Sequence, residues 1–121
     1  MTQVLIVDDQ TDIRRLLSVT LSSEFSVQEA SDGAMALQMI RRLHPQIVLL
    51  DLMMPGEIDG FHILRNIRSD PLTKCITVAI LSARTQLSDH HMADNLGADA
   101  YFSKPFSPMQ VKSWIRSRVQ Q

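Results

Sequence analysis

Cysteine is nearly missing: Cys75 stands alone, which excludes an internal disulfide and a metal site built from several thiolates. Its small side chain reads as apolar filler. Long hydrophobic runs are missing as well. No stretch approaches the roughly 18 apolar residues that span a bilayer, and the opening MTQVLIVDDQ sets two acids straight after a short apolar run, unlike a signal peptide. The expected location is therefore cytoplasmic, without membrane contact. A charge excess of either sign is also lacking: 12 Lys and Arg face 13 Asp and Glu, a formal net charge of −1. Without a basic face to neutralise phosphates, direct binding of nucleic acid by this chain is not expected. Lys112, Arg116 and Arg118 do gather near the carboxyl end, where they read as solvated cations at the negative pole of a last helix. The 121 residues hold no repeat, low-complexity tract or linker. The expectation is one domain over 1–121, with any partner domain outside the chain.

What the sequence does have is alternation. Short runs with Val, Ile and Leu prominent occupy 4–8 (VLIVD), 25–30 (FSVQEA), 47–51 (IVLLD), 76–82 (ITVAILS) and 99–103 (DAYFS). Between and after them lie longer segments of helical period: DIRRLLSVTLSS, GAMALQMIRRLH, GFHILRNIRSD, LSDHHMADNLG and SPMQVKSWIRSRVQQ. Ile13, Leu16, Leu17, Thr20 and Leu21 recur on one helical face, and Met35, Leu37, Ile40 and Leu43 follow a similar spacing. Gly33 opens the second helical segment, His44-Pro45 ends it, Asp70-Pro71 closes the third and Gly97 the fourth. Five strands and five helices in strict alternation predict an α/β fold, a parallel sheet with helices on both faces, because right-handed crossovers connect parallel neighbours. The near-continuous apolar character of the first, third and fourth runs fits strands buried on both sides.

Polar residues collect where these runs end: Asp8 and Asp9 at the first, Asp51 at the third, Ser82 at the fourth, and Lys104 one residue past the fifth. In an open parallel sheet such ends share one edge, and ligands bind where the strand order reverses. In a doubly wound sheet of order 2-1-3-4-5 the reversal falls between the first and third strands, so Asp8, Asp9 and Asp51 would flank the crevice. Two like charges about 4 Å apart repel by ~4 kcal/mol at an effective dielectric near ~20. The cluster needs a cation. A hard divalent ion suits it, Mg²⁺ or Mn²⁺ in its place, since such ions take carboxylate oxygens and keep several waters. Helix capping explains one acid here but not a pair with Asp51 opposite; Asp12 and Asp32 fit a capping or turn role better. His90 and His91 fall within a helix and read as surface polar residues, so zinc is not expected.

In this order and spacing, VDDQ, DLMMPG followed by DG, ILSA and GADAYFSKPF resemble the motifs of receiver domains of two-component response regulators, along the whole chain. The resemblance implies the flavodoxin-like fold and supplies the 2-1-3-4-5 order. It implies Asp51 as the phosphoacceptor. Asp8 and Asp9 become the acidic pair that positions Mg²⁺, with Asp9, the Asp51 carboxylate and the main-chain oxygen of Met53 as direct ligands. Ser82 becomes the switch hydroxyl that bonds a phosphoryl oxygen, Lys104 the ammonium that meets the phosphoryl group from the other side, and Tyr101 the aromatic switch. Pro105 follows Lys104 through a bond that is typically cis in the family. Phosphoryl transfer needs an oxygen nucleophile in line and charge stabilisation at the equatorial oxygens, which these residue types provide.

The implied function is a switch, not an enzyme with a separate substrate. It accepts a phosphoryl group from a sensor histidine kinase or histidine phosphotransfer protein and catalyses its own phosphorylation and dephosphorylation. It then changes the binding of an output domain or partner protein, as a monomer or a phosphorylation-dependent dimer. Recognition is expected on the face of the fourth helix, fifth strand and fifth helix, around Leu87, His91, Tyr101 and Trp114; Trp114 also reads as a partly buried helix anchor.

Two departures stand out. The turn after Pro55 is one residue longer than the common pattern, with GEI before Asp59-Gly60, and Ala100 replaces an acid frequent in receivers of winged-helix transcription factors. Arg84 and Met53 are expected to line the cleft and limit water access to the phosphate. Two rivals fit less well. A magnesium-dependent phosphohydrolase would want a carboxylate two residues after Asp51, where Met53 stands, and a decayed docking module would lack Asp51, Lys104 or the acid pair.

Overall fold

In the structure, a computed structural model, residues 1–83 and 86–119 are described. The strands are β1 (Gln3–Val7), β2 (Ser26–Ala30), β3 (Ile47–Asp51), β4 (Thr77–Ser82) and β5 (Ala100–Ser103). The helices α1 (Thr11–Leu21), α2 (Gly33–Leu43), α3 (Gly60–Ser69), α4 (Leu87–Asn95) and α5 (Pro108–Val119) alternate with them as expected. All four strand pairings are parallel and the order is β2-β1-β3-β4-β5. The first strand stops at Val7, so Asp8 and Asp9 stand on the loop just beyond the edge.

Alternation within each central strand divides the core in two. Val4, Ile6, Ile47, Leu49, Ala79 and Leu81 face α1 and α5, where Leu17, Leu21, Val111 and Ile115 meet them. Leu5, Val7, Val48, Leu50, Val78 and Ile80 face the other way, against Ala36 and Ile40 of α2, Ile63, Leu64 and Ile67 of α3 and Ala93 of α4. The period of two along a strand sends successive side chains to opposite faces, and each fully buried Leu, Ile or Val contributes about 1.5–3 kcal/mol. A central sheet held this firmly from both sides is a rigid mount for whatever its carboxyl edge carries.

Helix ends follow local chemistry. Asp32 caps α2 by accepting from the Met35 amide at 2.8 Å, and Asp59 caps α3 by accepting from the His62 amide at 2.9 Å. Asp12 does not cap: Gln10 holds the N-cap position of α1 and Asp12 sits within the first turn, where its charge favours the helix dipole. α2 ends on His44 in the left-handed region (φ 46°), and Gly97 (φ 93°) follows the end of α4.

Two further expectations about the fold need correction. Cys75 is exposed rather than filling the core, because it lies on the surface turn between α3 and β4. The basic residues of α5 are not simply solvated. Lys112 is buried, its ammonium donating to Ser23 Oγ at 3.1 Å and facing Glu24 at 3.7 Å, and Arg116 pairs with Glu24 through Nε at 2.9 Å. These cations clamp α5 to the turn that follows α1.

Arg68 is a second clamp. It donates to the carbonyls of Gly97 (2.9 Å), Lys74 (2.9 Å) and Ile76 (2.6 Å) and to Asp99 Oδ2 (3.0 Å). Asp99 in turn accepts from the Val78 amide at 2.8 Å and pairs with Arg118 at 3.2 Å. Truncation would strand several partly buried acceptors, so Arg68→Ala is expected to lower the unfolding free energy by about 2–3 kcal/mol in a denaturant titration. A loss below about 0.5 kcal/mol, the size of an ordinary surface change, would show that water replaces the clamp.

Candidate functional site

The reversal between β1 and β3 places the acids as the sequence suggested. Among the described residues, Asp8, Asp9 and Asp51 each offer a carboxylate oxygen, and these atoms all lie within 4.8 Å of one another. Asp8 is fully buried and Asp51 is 3% exposed, while Asp9 is open to solvent. Asp9 lines a cleft of about 390 Å³ together with Leu52, Met53, Met54, Pro55 and Asp59. A donor set of carboxylate oxygens with solvent access on one side fits a hard divalent cation.

Each acid has a structural reason for its position. Asp51 closes β3 in register with Leu81 of β4, and its Oδ1 accepts from the Met53 amide at 3.2 Å. Asp8 Oδ1 accepts from the Gln10 amide at 2.9 Å, and its Oδ2 accepts from Lys104 Nζ at 2.9 Å. The Lys104 amide donates to the Ser82 carbonyl at 2.7 Å, which anchors the lysine backbone to the end of β4. Its ammonium also reaches Asp51 Oδ2 at 3.5 Å and Gln10 Oε1 at 3.0 Å. The Lys104-Pro105 bond is cis.

This environment holds a proton on Asp51 more tightly than water would. Burial, then repulsion from Asp8, push its carboxyl up to about 6; the Met53 amide and the Lys104 ammonium pull the other way without prevailing. The ammonium pulls weakly on Asp51 because it sits closer to Asp8, at 2.9 Å, than to Asp51, at 3.5 Å.

Ser82 is fully buried at the end of β4 and Tyr101 is half-buried on β5, packed against the α2–α3–α4 side of the core. His90 is not merely a surface residue. It is half-buried and its ring stacks on Tyr101, with centroids 3.6 Å apart and planes 22° from parallel. A flat aromatic three residues before the lysine and a histidine on the preceding helix were the available signals, but their meeting depends on how α4 packs beside β5. His91, Leu87 and Met92 are exposed on α4, and Trp114 is half-buried, edge-on to Phe102 with Arg118 over its ring. Met53 is 55% exposed beside the cleft; Arg84 lies outside the described residues.

Three features went unassigned in the sequence. Gln10 is a partner of Lys104, Asp59 shares the cleft with Asp9, and Gly60 lets the loop close on Asp51. A Cβ at Gly60 would lie 2.3 Å from the Asp51 carbonyl oxygen, and one at Gly33 would lie 2.4 Å from that of Ile58. The lengthened turn is thus braced on the start of α2, leaving a cleft of about 340 Å³ lined by Asp32, Gly33, Ala34 and residues 55–58.

A doubly wound α/β domain with an acid pocket and a facing lysine at the switch point defines the class; comparison with known proteins specifies it. Residues 4–116 match the response regulator receiver domain, and the chain belongs to that family. It is 39% identical over 116 residues to the "Probable transcriptional regulator ycf27" of Porphyridium aerugineum, covering 95% of this chain and 47% of that protein. It is 35% identical over 118 residues to the DNA-binding response regulator MtrA of Mycobacterium tuberculosis, covering 97% and 50%. The chain spans about half the length of these curated relatives. Among solved structures, the signal receiver domain of a DNA-binding response regulator from Colwellia psychrerythraea superposes with a TM-score of 0.93 at 27% identity, covering all of both chains. Vibrio cholerae chemotaxis protein CheY4 superposes at 0.89 and 27% identity, covering 97% of this chain and 98% of that one. The chain is therefore a receiver domain of the two-component systems, a phosphorylation switch.

Proposed function

We propose that Asp51 is the phosphoacceptor of this switch. The observation that carries the reading is a buried carboxylate at the end of β3, 3.5 Å from the Lys104 ammonium and within 4.8 Å of ligand atoms of Asp8 and Asp9. A side-chain oxygen of deprotonated Asp51 attacks phosphorus in line, the bond from phosphorus to the donor imidazole breaks, and its electron pair leaves on the nitrogen. Asp9, Asp51 and the Met53 main-chain oxygen would hold Mg²⁺, with Asp8 completing the acidic pocket beside them, and the ion would supply charge neutralisation at the phosphoryl oxygens. Lys104 neutralises charge from the other side, and Ser82 donates to a phosphoryl oxygen. Water attack on phosphorus later returns the carboxylate and releases inorganic phosphate.

The donor is a sensor histidine kinase or a histidine phosphotransfer protein. An apolar groove beside Lys104, about 480 Å³ and lined by Gln10, Ile13, Leu16, Ala83, Pro105 and Phe106, suits an apolar helix that carries a phosphohistidine to the site. Phosphorylation favours an arrangement in which Ser82 moves and Tyr101 turns inward, leaving its stack on His90 and altering the face of α4, β5 and α5. Similarity to DNA-binding response regulators supports a DNA-binding output carried outside residues 1–121. This domain itself, with a formal net charge of −1, makes no direct nucleic-acid contact, and the switch acts in the cytoplasm. Trapping the acyl phosphate with borohydride after treatment with acetyl phosphate and Mg²⁺, followed by peptide mass mapping, should label Asp51. A label on Asp8, Asp9 or Asp59 instead would overturn the assignment.

A further inference from the structure

Gln10 does something its position does not call for. It holds the N-cap of α1, with extended backbone (φ −86°, ψ 114°), where a short polar side chain would satisfy a free helix amide, yet its side chain caps nothing. Its amide oxygen instead accepts from Lys104 Nζ at 3.0 Å. Its backbone N–H donates to Asp8 Oδ1 at 2.9 Å, and Asp8 Oδ2 accepts from the same ammonium at 2.9 Å. Gln10, Asp8 and Lys104 thus close a ring.

An ammonium carries three protons. Two point at Asp8 and Gln10 within ordinary hydrogen-bond distance, whereas Asp51 Oδ2 is farther off at 3.5 Å. The lysine backbone is tied to Ser82, so only the side chain can swing. We propose that Gln10 is a positioning residue for Lys104: its amide oxygen parks the ammonium on the Asp8 side of the cleft, and a phosphoryl group on Asp51 must draw it away. The inference rests on the phosphoacceptor reading and adds a chain-specific restraint to it. Gln10 sets how readily the lysine is released, and so biases the balance between the resting and phosphorylated states. The side chain is exposed, so replacing it leaves the core untouched.

The test compares wild type with Gln10→Met, which keeps the length but loses the amide oxygen, and Gln10→Glu, which keeps an acceptor. In metal-free protein, the ¹⁵Nζ proton signal of Lys104 should be protected from exchange in wild type and Gln10→Glu and lost in Gln10→Met. At saturating Mg²⁺, the beryllium fluoride concentration that half-fills the site, read by ¹⁹F NMR, should fall about five-fold in Gln10→Met, the size of a net charge-assisted hydrogen bond in contact with water. Wild type that takes up no beryllium fluoride would sink the phosphoacceptor reading itself. Wild type that binds it, alongside a Gln10→Met variant with an unchanged half-filling concentration or a retained Lys104 signal, would overturn the role of Gln10 alone.

Discussion

Asp51→Asn is expected to gain no mass from acetyl phosphate and Mg²⁺ under conditions that add one phosphoryl group to wild type, and yet to be the more stable protein at pH 7.5 without metal. The first effect follows from chemistry. An amide oxygen cannot form the acyl phosphate, and although Asp8 lies close by, its two oxygens are already committed to the Gln10 amide and the Lys104 ammonium. The second follows from the raised carboxyl. Folding shifts Asp51 up from an ordinary 3.8 to about 6, so the folded chain holds this proton more tightly than the unfolded one. That preference contributes fully below the unfolded value and is lost as pH rises through about 6, where burial and Asp8 oppose the charged form. The shift corresponds to at most ~3 kcal/mol, and the higher effective dielectric on the solvent-open Asp9 side of the pocket reduces this to about 1–2 kcal/mol. Urea titrations should show the variant ahead by that amount at pH 7.5, the gap closing between about pH 6 and 4. Mg²⁺ should narrow it as well, since an ion bound only by the folded wild type stabilises that state. Mass gain that survives the substitution would move the acceptor elsewhere; a variant less stable than wild type at pH 7.5 would mean that Lys104 pairing outweighs burial.

Gly60→Ala should damage both fold and site. The glycine is not needed for an unusual backbone angle; it is needed for space. A methyl group there would meet the Asp51 carbonyl oxygen at 2.3 Å and the Leu52 Cα at 2.7 Å, both main-chain atoms that cannot rotate away. Relief requires α3 to retreat or the end of β3 to shift, and the Gly60 amide would then lose its bond to the Leu52 carbonyl, now 3.2 Å long. Overpacking of this kind costs about 3 kcal/mol. Because the displaced strand end carries Asp51, phosphorylation by acetyl phosphate should slow more than about ten-fold, the order of effect that follows an ångström of misplacement at a reacting group. A stability loss under about 1 kcal/mol with an unchanged rate would show that the lengthened turn at 56–58 absorbs the clash.

Most of the architecture was legible because it depends on local periodicity. Val4–Val7, Ile47–Leu50 and Val78–Leu81 read as strands buried on both sides, and they belong to the three inner strands. Asp32 marked a helix start through its side-chain carboxylate, and Gly97 a helix end through its backbone freedom. The misreadings share a cause. Asp12, Cys75, Lys112 and His90 were judged from their own segments, whereas their surroundings come from elsewhere: Gln10 takes the cap, a surface turn exposes the thiol, Ser23 and Glu24 draw in the ammonium, and Tyr101 stacks on the imidazole.

By itself the sequence determined that four of the five apolar runs would deliver Asp8, Asp9, Asp51, Ser82 and Lys104 to one rim, because strand-and-helix periodicity and chain direction fix which ends of a parallel sheet coincide. Only the tertiary structure decided how those groups share their protons and charges. The lysine leans toward Asp8 and Gln10 rather than Asp51, and the Asp51 carboxyl is lifted by burial beside Asp8. Differences of half an ångström and the exclusion of water set such balances, and both arise from packing between segments from about forty to nearly a hundred residues apart, which no local pattern encodes.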